Sequence, residues 1–283
     1  MTTSEKPSLI IEETIENLRS VLGSEMDALR VERAVIGLFF SGVKLSNGDC
    51  GICFTPVKEI PESVCCPTSA AAIPAAGRLR NQPVTSYLAG LRGGKPLKKA
   101  LGIAVLNALS ATCRRLHPPR GYTLSYGKDP LEDVTLPDEA LVVVVGALAP
   151  YLKMLKGRKK PFCILEKDTR TLKADELPFY VEPAKAPARI STADWLIITG
   201  TTLINDTLED ILASAKPGAE IIVVGPTVSM LPEAFFRRGV QTIGGIVATH
   251  ADMLLDTLAE AGSGYHFFGK SAEKVIIRKA HAS

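Results

Sequence analysis

Threonine and asparagine side chains crowd one turn in the second half of the chain, between an apolar segment and a helical pattern. Thr199–Thr207 contains Thr201, Thr202 and Asn205 around a glycine. Glycine lets a backbone approach a ligand closely, and hydroxyl and carboxamide groups both donate and accept hydrogen bonds. We predict that these three side chains contact a small polar ligand and that Asn205 has a catalytic role in stabilising developing negative charge. Capping of the next helix by Asn205 or Asp206 is the structural alternative.

Two more candidates follow earlier apolar segments. Gly146 ends one of them, and Glu166 lies about 20 residues further on, the spacing at which many parallel-sheet proteins hold ribose or similar hydroxyls. We predict that Gly146 contacts the ligand and that Glu166 acts as general base or hydroxyl anchor. A solvated carboxylate at a strand end is the alternative for Glu166. Residues 146–150 hold one glycine where the dinucleotide fingerprint needs three, so NAD or FAD binding of the ordinary kind is disfavoured.

A Gly-Pro turn and a lone carboxamide complete the candidate site. Gly225 and Thr227 flank Pro226 after a further apolar segment. Asn107 lies in a strongly apolar helical segment, where a buried amide must find hydrogen-bond partners. We predict Gly225, Thr227 and Asn107 as ligand contacts. Ordinary turn punctuation is the alternative for Gly-Pro, and a structural hydrogen bond is the favoured alternative for Asn107.

The cysteines are the only other candidates for metal chemistry. Cys50 and Cys53 are three residues apart, so on a regular strand their side chains point to opposite faces and cannot share one ion. The adjacent pair Cys65 and Cys66 could join one of them around a soft metal. Buried, unreactive thiols are the alternative for all four. A metal ion or metal chelate therefore stays open as a cofactor, while hydrolase and kinase motifs of the familiar kinds are absent.

Periodicity indicates which elements position these residues in the first half. Apolar residues at helical spacing and β-rich runs around an Asn-Gly dipeptide alternate there, which predicts helices and an antiparallel hairpin. The last helix is apolar on every side, so we expect it to be buried nearly all round. The predicted helices are Ile10–Leu29, Thr85–Leu91 and Lys95–Arg115, and the predicted strands are Ala34–Lys44 and Gly51–Val57, joined at Ser46–Asp49.

The second half alternates short apolar runs with helical patterns, which is typical of a parallel sheet that binds ligands at the carboxyl ends of its strands. The runs are Ala140–Val145, Pro161–Leu165, Trp195–Thr199, Glu220–Val224 and Gln241–Val247, and the helical patterns are Pro150–Lys156, Thr207–Ala215, Leu231–Arg238 and Ala251–Ala261. Polar and turn residues dominate 121–138. We therefore predict an α/β chain with a smaller α+β domain over 1–125 and a Rossmann-like parallel-sheet domain over 126–283.

Composition excludes several classes of protein. The 283 residues are 46% hydrophobic and 22% charged, so the chain can bury a sizeable core. Lys+Arg 33 against Asp+Glu 30, with basic residues scattered apart from Lys153–Lys160, gives no case for nucleic-acid binding. No apolar run approaches the ~18 residues of a membrane span, and Met1–Leu22 has no signal-peptide core. We expect a cytoplasmic protein with a small-molecule partner, and a homodimer stays open.

Three segments, taken together, resemble the heavy-metal chelation family, long described as a domain of unknown function. They are Leu101–Leu109, Gly200–Asn205, and Gly225–Thr227 with Leu231–Pro232. The resemblance implies an N-terminal domain like that of enolases, followed by a Rossmann-like domain with partial similarity to methyltransferases. It also implies a site between the two domains, at the matching positions Asn107, Glu166, Thr201, Thr202, Asn205, Gly225 and Thr227. Residues 147–150 depart from the His-Phe-Pro-like form of relatives.

The function that the residues and the resemblance imply is binding of a small polar metabolite or metal chelate in an interdomain cleft. Pterin-, flavin- or siderophore-like compounds are the expected class, with condensation or hydrolysis as the expected chemistry if the chain is an enzyme, which stays open. One alternative is an S-adenosylmethionine-dependent, methyltransferase-like enzyme. The other is a non-catalytic carrier of metal chelates, in which Cys65 and Cys66 supply soft ligands.

Overall fold

The computed structural model describes residues 8–59, 76–92, 95–132 and 134–280. A small antiparallel sheet in the first half consists of β1 (Val31–Ile36), β2 (Phe40–Leu45) and β3 (Cys50–Phe54) in that order. The predicted hairpin is confirmed, and Gly48 in its turn has φ +89°, a conformation that suits glycine. The predicted strand Ala34–Lys44 is wrong, because it comprises the end of β1, a turn and most of β2.

The turn between β1 and β2 arises where Gly37 meets the backbone of a distant helix. A Cβ atom at Gly37 would lie 2.2 Å from the Leu258 carbonyl oxygen. The chain reverses at this contact, and Gly37 N donates to Phe40 O at 3.1 Å. A single glycine in an apolar run is a weak turn signal, so the reversal was not predicted from the sequence.

Four helices accompany the small sheet: α1 (Leu9–Leu22), α2 (Ser24–Ala28), α3 (Val84–Ala89) and α4 (Pro96–Leu116). The predicted helix Ile10–Leu29 breaks at Gly23, which has φ +53° and whose N–H bonds the Arg19 carbonyl, so glycine ends the helix as a C-terminal cap. The long helix α4 begins with a proline and is buried along most of its length, as predicted.

In the described part of the second half, a seven-stranded sheet has the order β4-β10-β9-β8-β7-β5-β6. The strands are β4 (Tyr122–Tyr126), β5 (Val142–Val145), β6 (Phe162–Leu165), β7 (Trp195–Thr199), β8 (Glu220–Val224), β9 (Thr242–Ala248) and β10 (Ala272–Lys279). The helices between them are α5 (Ala149–Arg158), α6 (Ala186–Ile190), α7 (Leu208–Ser214), α8 (Glu233–Phe236), α9 (Ala251–Ala259) and α10 (Gly264–Phe267). Five strands, β5 to β9, are mutually parallel, which confirms the predicted α/β class.

The strand order reverses direction beside β5, because β6 lies on one side of β5 and β7 lies on the other. In open parallel sheets, ligand sites form outside the carboxyl ends of the strands where the order reverses in this way. The carboxyl ends of β5, β6, β7 and β8 form what we call the carboxyl edge. The predicted site turns all begin there.

The first and second halves of the chain share one hydrophobic core. Ile10 on α1, Leu106 on α4, Val143 on β5 and Phe235 on α8 all belong to a single buried cluster. The division into domains at 125/126 stays a prediction. Within the ranges given above, none of the helices combines the length and apolarity needed to cross a membrane.

Glu13 anchors α1 to the second half of the chain. Its carboxylate receives hydrogen bonds from Arg237 and Arg238, and these bonds lower its pKa to about 2. A lowered pKa stabilises the folded state above the ordinary carboxyl pKa, and this stabilisation disappears as the pH falls toward 2. We expect Glu13→Gln to lower the free energy of unfolding by about 1–2 kcal/mol at pH 7, after allowance for partial exposure.

Urea denaturation at pH 7 and at pH 3 measures this effect, because the difference between variant and wild type should shrink at the lower pH. Glu16→Gln is the matched control, since Glu16 is an exposed carboxylate on the same helix. An equal loss for both variants at both pH values would contradict the assignment.

Candidate functional site

The predicted turns meet at the carboxyl edge. A Cβ atom at Gly146 would lie 2.7 Å from Thr199 Cγ2, so the turn after β5 touches the end of β7. A Cβ at Gly200 would lie 3.0 Å from Val228 and 3.3 Å from Thr227, so the turns after β7 and β8 also touch. Glycines permit these approaches because they lack a side chain. The turns after β5, β7 and β8 therefore occupy one continuous edge of the sheet.

The turn after β7 is organised by threonine hydroxyls. Thr199 Oγ1 caps the turn by accepting from Thr201 N at 3.4 Å, and Thr202 Oγ1 donates to Thr199 O at 2.7 Å. Thr202 is 3% exposed, so its hydroxyl is used within the turn. Thr201 is half-buried, and the hydrogen-bond partner of its hydroxyl among the described residues is the Thr199 hydroxyl, at 3.2 Å. Thr201 is therefore the threonine of this turn whose hydroxyl is available to a ligand.

Asn205 joins this turn to the one after β6. In the amide orientation that gives both ends of the side chain a partner, its nitrogen donates to Thr202 O at 3.2 Å and to Thr207 Oγ1. Its oxygen then accepts from Lys167 Nζ at 3.3 Å. Asn205 is half-buried, whereas Lys167 is exposed. An ammonium group and a carboxamide thus stand side by side at the point where the strand order reverses.

Glu166 connects the turns after β5 and β6. Its Oε2 accepts from Ala147 N at 2.8 Å and its Oε1 accepts from Asp168 N at 3.0 Å. These bonds fix the positions of the two turns relative to each other. Each carboxylate oxygen has a second lone pair, so the half-buried Glu166 can still accept from a ligand hydroxyl.

Asn107 and Thr227 lie at the junction between the first half and the turn after β8. Asn107 Nδ2 donates to the carbonyl oxygens of Ile52, Pro226 and Thr227 at 2.8, 3.2 and 3.0 Å. Thr227 Oγ1 accepts from Phe54 N at 3.1 Å. Both side chains are 2% exposed, so these contacts give them a joining role.

A small cavity of about 10 Å³ adjoins Asn107, Arg114 and Ser229. Such a volume is close to that of one water molecule and cannot hold a metabolite. Gly225 in the same turn has φ +123°, and a Cβ there would lie 3.9 Å from Gly200 N, an ordinary contact distance. Gly225 is partly buried, whereas Thr227, the other candidate after β8, is buried.

Two cations from the first half reach the carboxyl edge. Lys58 pairs with Asp168, and Lys99 on α4 pairs with Asp206, which has φ +56°. Hydrogen bonds from Arg170 and Lys58 hold the pKa of Asp168 well below its usual range. The first half therefore contacts this edge through the ion pairs of Lys58 and Lys99 as well as through Asn107.

Sequence reasoning missed Lys58, Lys99 and Lys167. Lys99 is the second of two adjacent lysines before the apolar stretch of α4, and a charged residue at the start of that stretch was a usable signal. Lys167 follows Glu166 directly after a predicted strand, which was a second signal. Lys58 carried none, because its partner Asp168 is more than 100 residues away.

The thiols within the described ranges do not fit a resident metal. Burial raises the pKa of Cys50 and of Cys53 to about 12, whereas metals bind the deprotonated thiolate. The two side chains belong to different hydrophobic clusters, as their spacing predicted. The described part of the chain has no group of three or more His, Cys, Asp or Glu residues arranged to hold a metal ion. Cys65 and Cys66 lie outside the described residues.

Comparison with known proteins finds a sequence relative of part of the chain and two solved structures with the same fold. An uncharacterized protein from Methanocaldococcus jannaschii is 32% identical over 180 residues, which cover 62% of this chain and 64% of that relative. A protein of unknown function from Pyrococcus horikoshii has the same fold, with a TM-score of 0.71 and 17% identity over 95% of this chain and all of that one. A protein of unknown function from Desulfitobacterium hafniense also has this fold, with a TM-score of 0.65 and 17% identity over 95% of this chain and 99% of that one.

Two family models match the chain, and both are described as "Putative heavy-metal chelation". One matches residues 129–277 and the other matches residues 19–110. The two solved structures belong to the family of the longer match. Since that match covers more than half of the chain, and the resemblance of the three sequence segments is confirmed, the protein belongs to this heavy-metal chelation family.

Proposed function

We propose that the protein binds a small polar metabolite or its metal chelate at the carboxyl edge, beneath the first half of the chain. The observation that carries this proposal is the meeting of the turns after β5, β6 and β7 at the point where the strand order reverses. There, Lys167 Nζ lies 3.3 Å from the side-chain oxygen of Asn205. Sites of this topology accept ligands because loops, and not strands, line them. The partly buried Gly146, Glu166, Thr201 and Asn205 are the proposed contacts.

The chemistry of these groups suits an oxygen-rich ligand. Glu166 would accept from a ligand hydroxyl or act as general base. Thr201 and Lys167 would donate to a ligand oxygen, and Lys167 adds a positive charge that favours an anionic one. Pterin-, flavin- and siderophore-like compounds all combine hydroxyl, carbonyl or acidic oxygens in this way. If the ligand is transformed, the same donors would stabilise negative charge developing during condensation or hydrolysis.

A chelate is favoured over a bare ion because of the donor set. The buried thiols of Cys50 and Cys53 would have to lose protons at a pKa of about 12 to bind a metal. A chelating small molecule brings its own donor atoms, so the protein needs only hydrogen-bond partners and charge. The proposed function therefore agrees with the family description without a protein-built metal centre in the described residues.

Native mass spectrometry of protein purified without added metal tests the proposal, and we expect a retained small molecule in the wild type. Asn205→Ala removes the carboxamide that connects Thr202 and Lys167. We expect the bound fraction to fall about tenfold or more, because both a direct contact and the placement of Lys167 are lost. The melting temperature should stay within a few degrees, since Asn205 is not fully buried.

Asn47→Ala is the matched control, because it removes an exposed carboxamide from the β2–β3 hairpin, far from the carboxyl edge. It should leave the bound fraction unchanged. A retained molecule that survives Asn205→Ala, or one lost equally in both variants, would contradict the proposal. Retention of S-adenosylmethionine would instead support the methyltransferase-like alternative.

A further inference from the structure

A second cavity lies on the first half of the molecule, between α3 and the beginning of α4. Its volume is about 590 Å³, within the range of about 300–1,000 Å³ that small-molecule sites occupy. Among the described residues, none that lines it belongs to the carboxyl-edge site described above. The cavity therefore needs an explanation of its own.

The inner wall of this cavity is apolar and rigid. Leu79, Tyr87 and Leu101 contribute to the wall, and Leu101 is 1% exposed. The Tyr87 hydroxyl donates to the Leu79 carbonyl, which fixes the orientation of the ring. Burial raises the pKa of Tyr87 to about 12, so the phenol carries no negative charge near neutral pH. A flat or aliphatic group could pack on this wall without meeting an anionic protein group.

The charged part of the lining is entirely basic among the described residues. Arg78, Lys95 and Lys98 line the cavity, and no Asp or Glu does. Across the described ranges, Arg78 and Lys98 make no ion pair, whereas Arg92 and Lys99 nearby are paired with Glu12 and Asp206. Carboxylates thus neutralise Arg92 and Lys99, whereas Arg78 and Lys98, which line the cavity, have no such partner among the described residues.

The surrounding sequence supplies no carboxylate to neutralise this charge. Residues 63–128 contain ten Lys and Arg residues and no Asp or Glu, so Arg78 and Lys98 have no acidic residue nearby in the chain. Lys98 also lies in the first turn of α4, where the helix dipole disfavours a cation. An anion in the cavity would relieve both sources of repulsion.

We infer that this cavity binds an organic anion, with its acidic group between Arg78 and Lys98 and its apolar body against Tyr87 and Leu101. The cavity volume fits a small organic molecule. The two unpaired cations fit its acidic group, and the apolar wall fits its apolar body. Carboxylates, sulfonates and phosphates all provide suitable acidic groups. The site does not depend on the proposed function at the carboxyl edge.

Fluorescence titration with 8-anilinonaphthalene-1-sulfonate tests the inference, since this probe is an aromatic monoanion that brightens in apolar surroundings. N-phenyl-1-naphthylamine serves as the neutral probe with the same aromatic body. We expect saturable binding of the anionic probe to the wild type. The double variant Arg78→Glu and Lys98→Glu should weaken that binding about tenfold or more while changing the affinity of the neutral probe by less than about threefold.

Two further variants separate this site from general surface effects. Lys153→Glu reverses an exposed charge on α5 and should leave both probes unaffected. Ser86→Trp fills the cavity from its lining and should reduce the binding of both probes. The inference fails if the anionic probe does not bind saturably, if Lys153→Glu weakens it as much as the double variant does, or if Ser86→Trp leaves its affinity unchanged. Circular dichroism of each variant verifies that the fold persists.

Discussion

Gly51→Ala is expected to lower the melting temperature by about 6–12 °C or to leave the chain insoluble. A Cβ atom at Gly51 would lie 2.2 Å from the Ala104 carbonyl oxygen and 2.4 Å from the Ala108 nitrogen. Both are backbone atoms of α4, so no side chain can rotate away. Relief requires β3 and α4 to separate, which we expect to cost about 3 kcal/mol or more.

Gly157→Ala is the control for this substitution. Gly157 lies inside α5 with no atom within 4 Å of the Cβ position, so alanine there should be neutral or stabilising by up to about 1 kcal/mol. Thermal melts followed by circular dichroism measure both variants. A Gly51→Ala protein that melts like the wild type would show that β3 and α4 can part at little cost.

Asn107→Leu is expected to lower the free energy of unfolding by about 2–4 kcal/mol. The substitution nearly preserves volume, but it removes the side-chain nitrogen that donates to the carbonyls of Ile52, Pro226 and Thr227. Buried carbonyls that lose a donor incur a desolvation cost that water cannot relieve. Because these carbonyls belong to both halves of the chain, the loss should also loosen the cover over the carboxyl edge.

Urea denaturation measures this effect, with Asn47→Ala expected to change the free energy by no more than about 1 kcal/mol because its side chain is exposed. Comparison with ligand retention separates two roles of Asn107. Normal stability with lost retention would favour the direct ligand contact predicted from the sequence. Lost stability would favour the joining role that its hydrogen bonds indicate.

Strands buried on both faces were the elements that the sequence predicted best. Trp195–Thr199 and Glu220–Val224 have the predicted bounds, because continuous β-branched runs between turns are typical of parallel strands. In contrast, β4 and β10 were missed. Polar residues separate the apolar ones in β4, and charged residues flank the short apolar run Val275–Ile277 in β10, so both segments are easily mistaken for loop. Their pairing is visible only in three dimensions.

The position of the candidate site could be predicted, but the availability of its side chains could not. Turns that follow parallel strands necessarily reach one edge, so Thr201, Asn205 and Glu166 were predicted to be neighbours. Whether a threonine hydroxyl faces a ligand or its own backbone depends on local turn geometry, as Thr202 shows by donating to Thr199 O. Residue type alone does not distinguish these two outcomes.

The placement of β10 between β4 and β9 has a consequence for the order of events during synthesis. Strand β4 has β10 as its hydrogen-bonded neighbour in the sheet, and the two are about 150 residues apart in the chain. At about 5–20 residues per second, a ribosome would need about 7–30 s to deliver β10 after β4 has been made. During that interval β4 lacks β10, the strand with which it forms hydrogen bonds. The nascent chain must therefore keep this segment from pairing with neighbouring molecules until the last strand arrives.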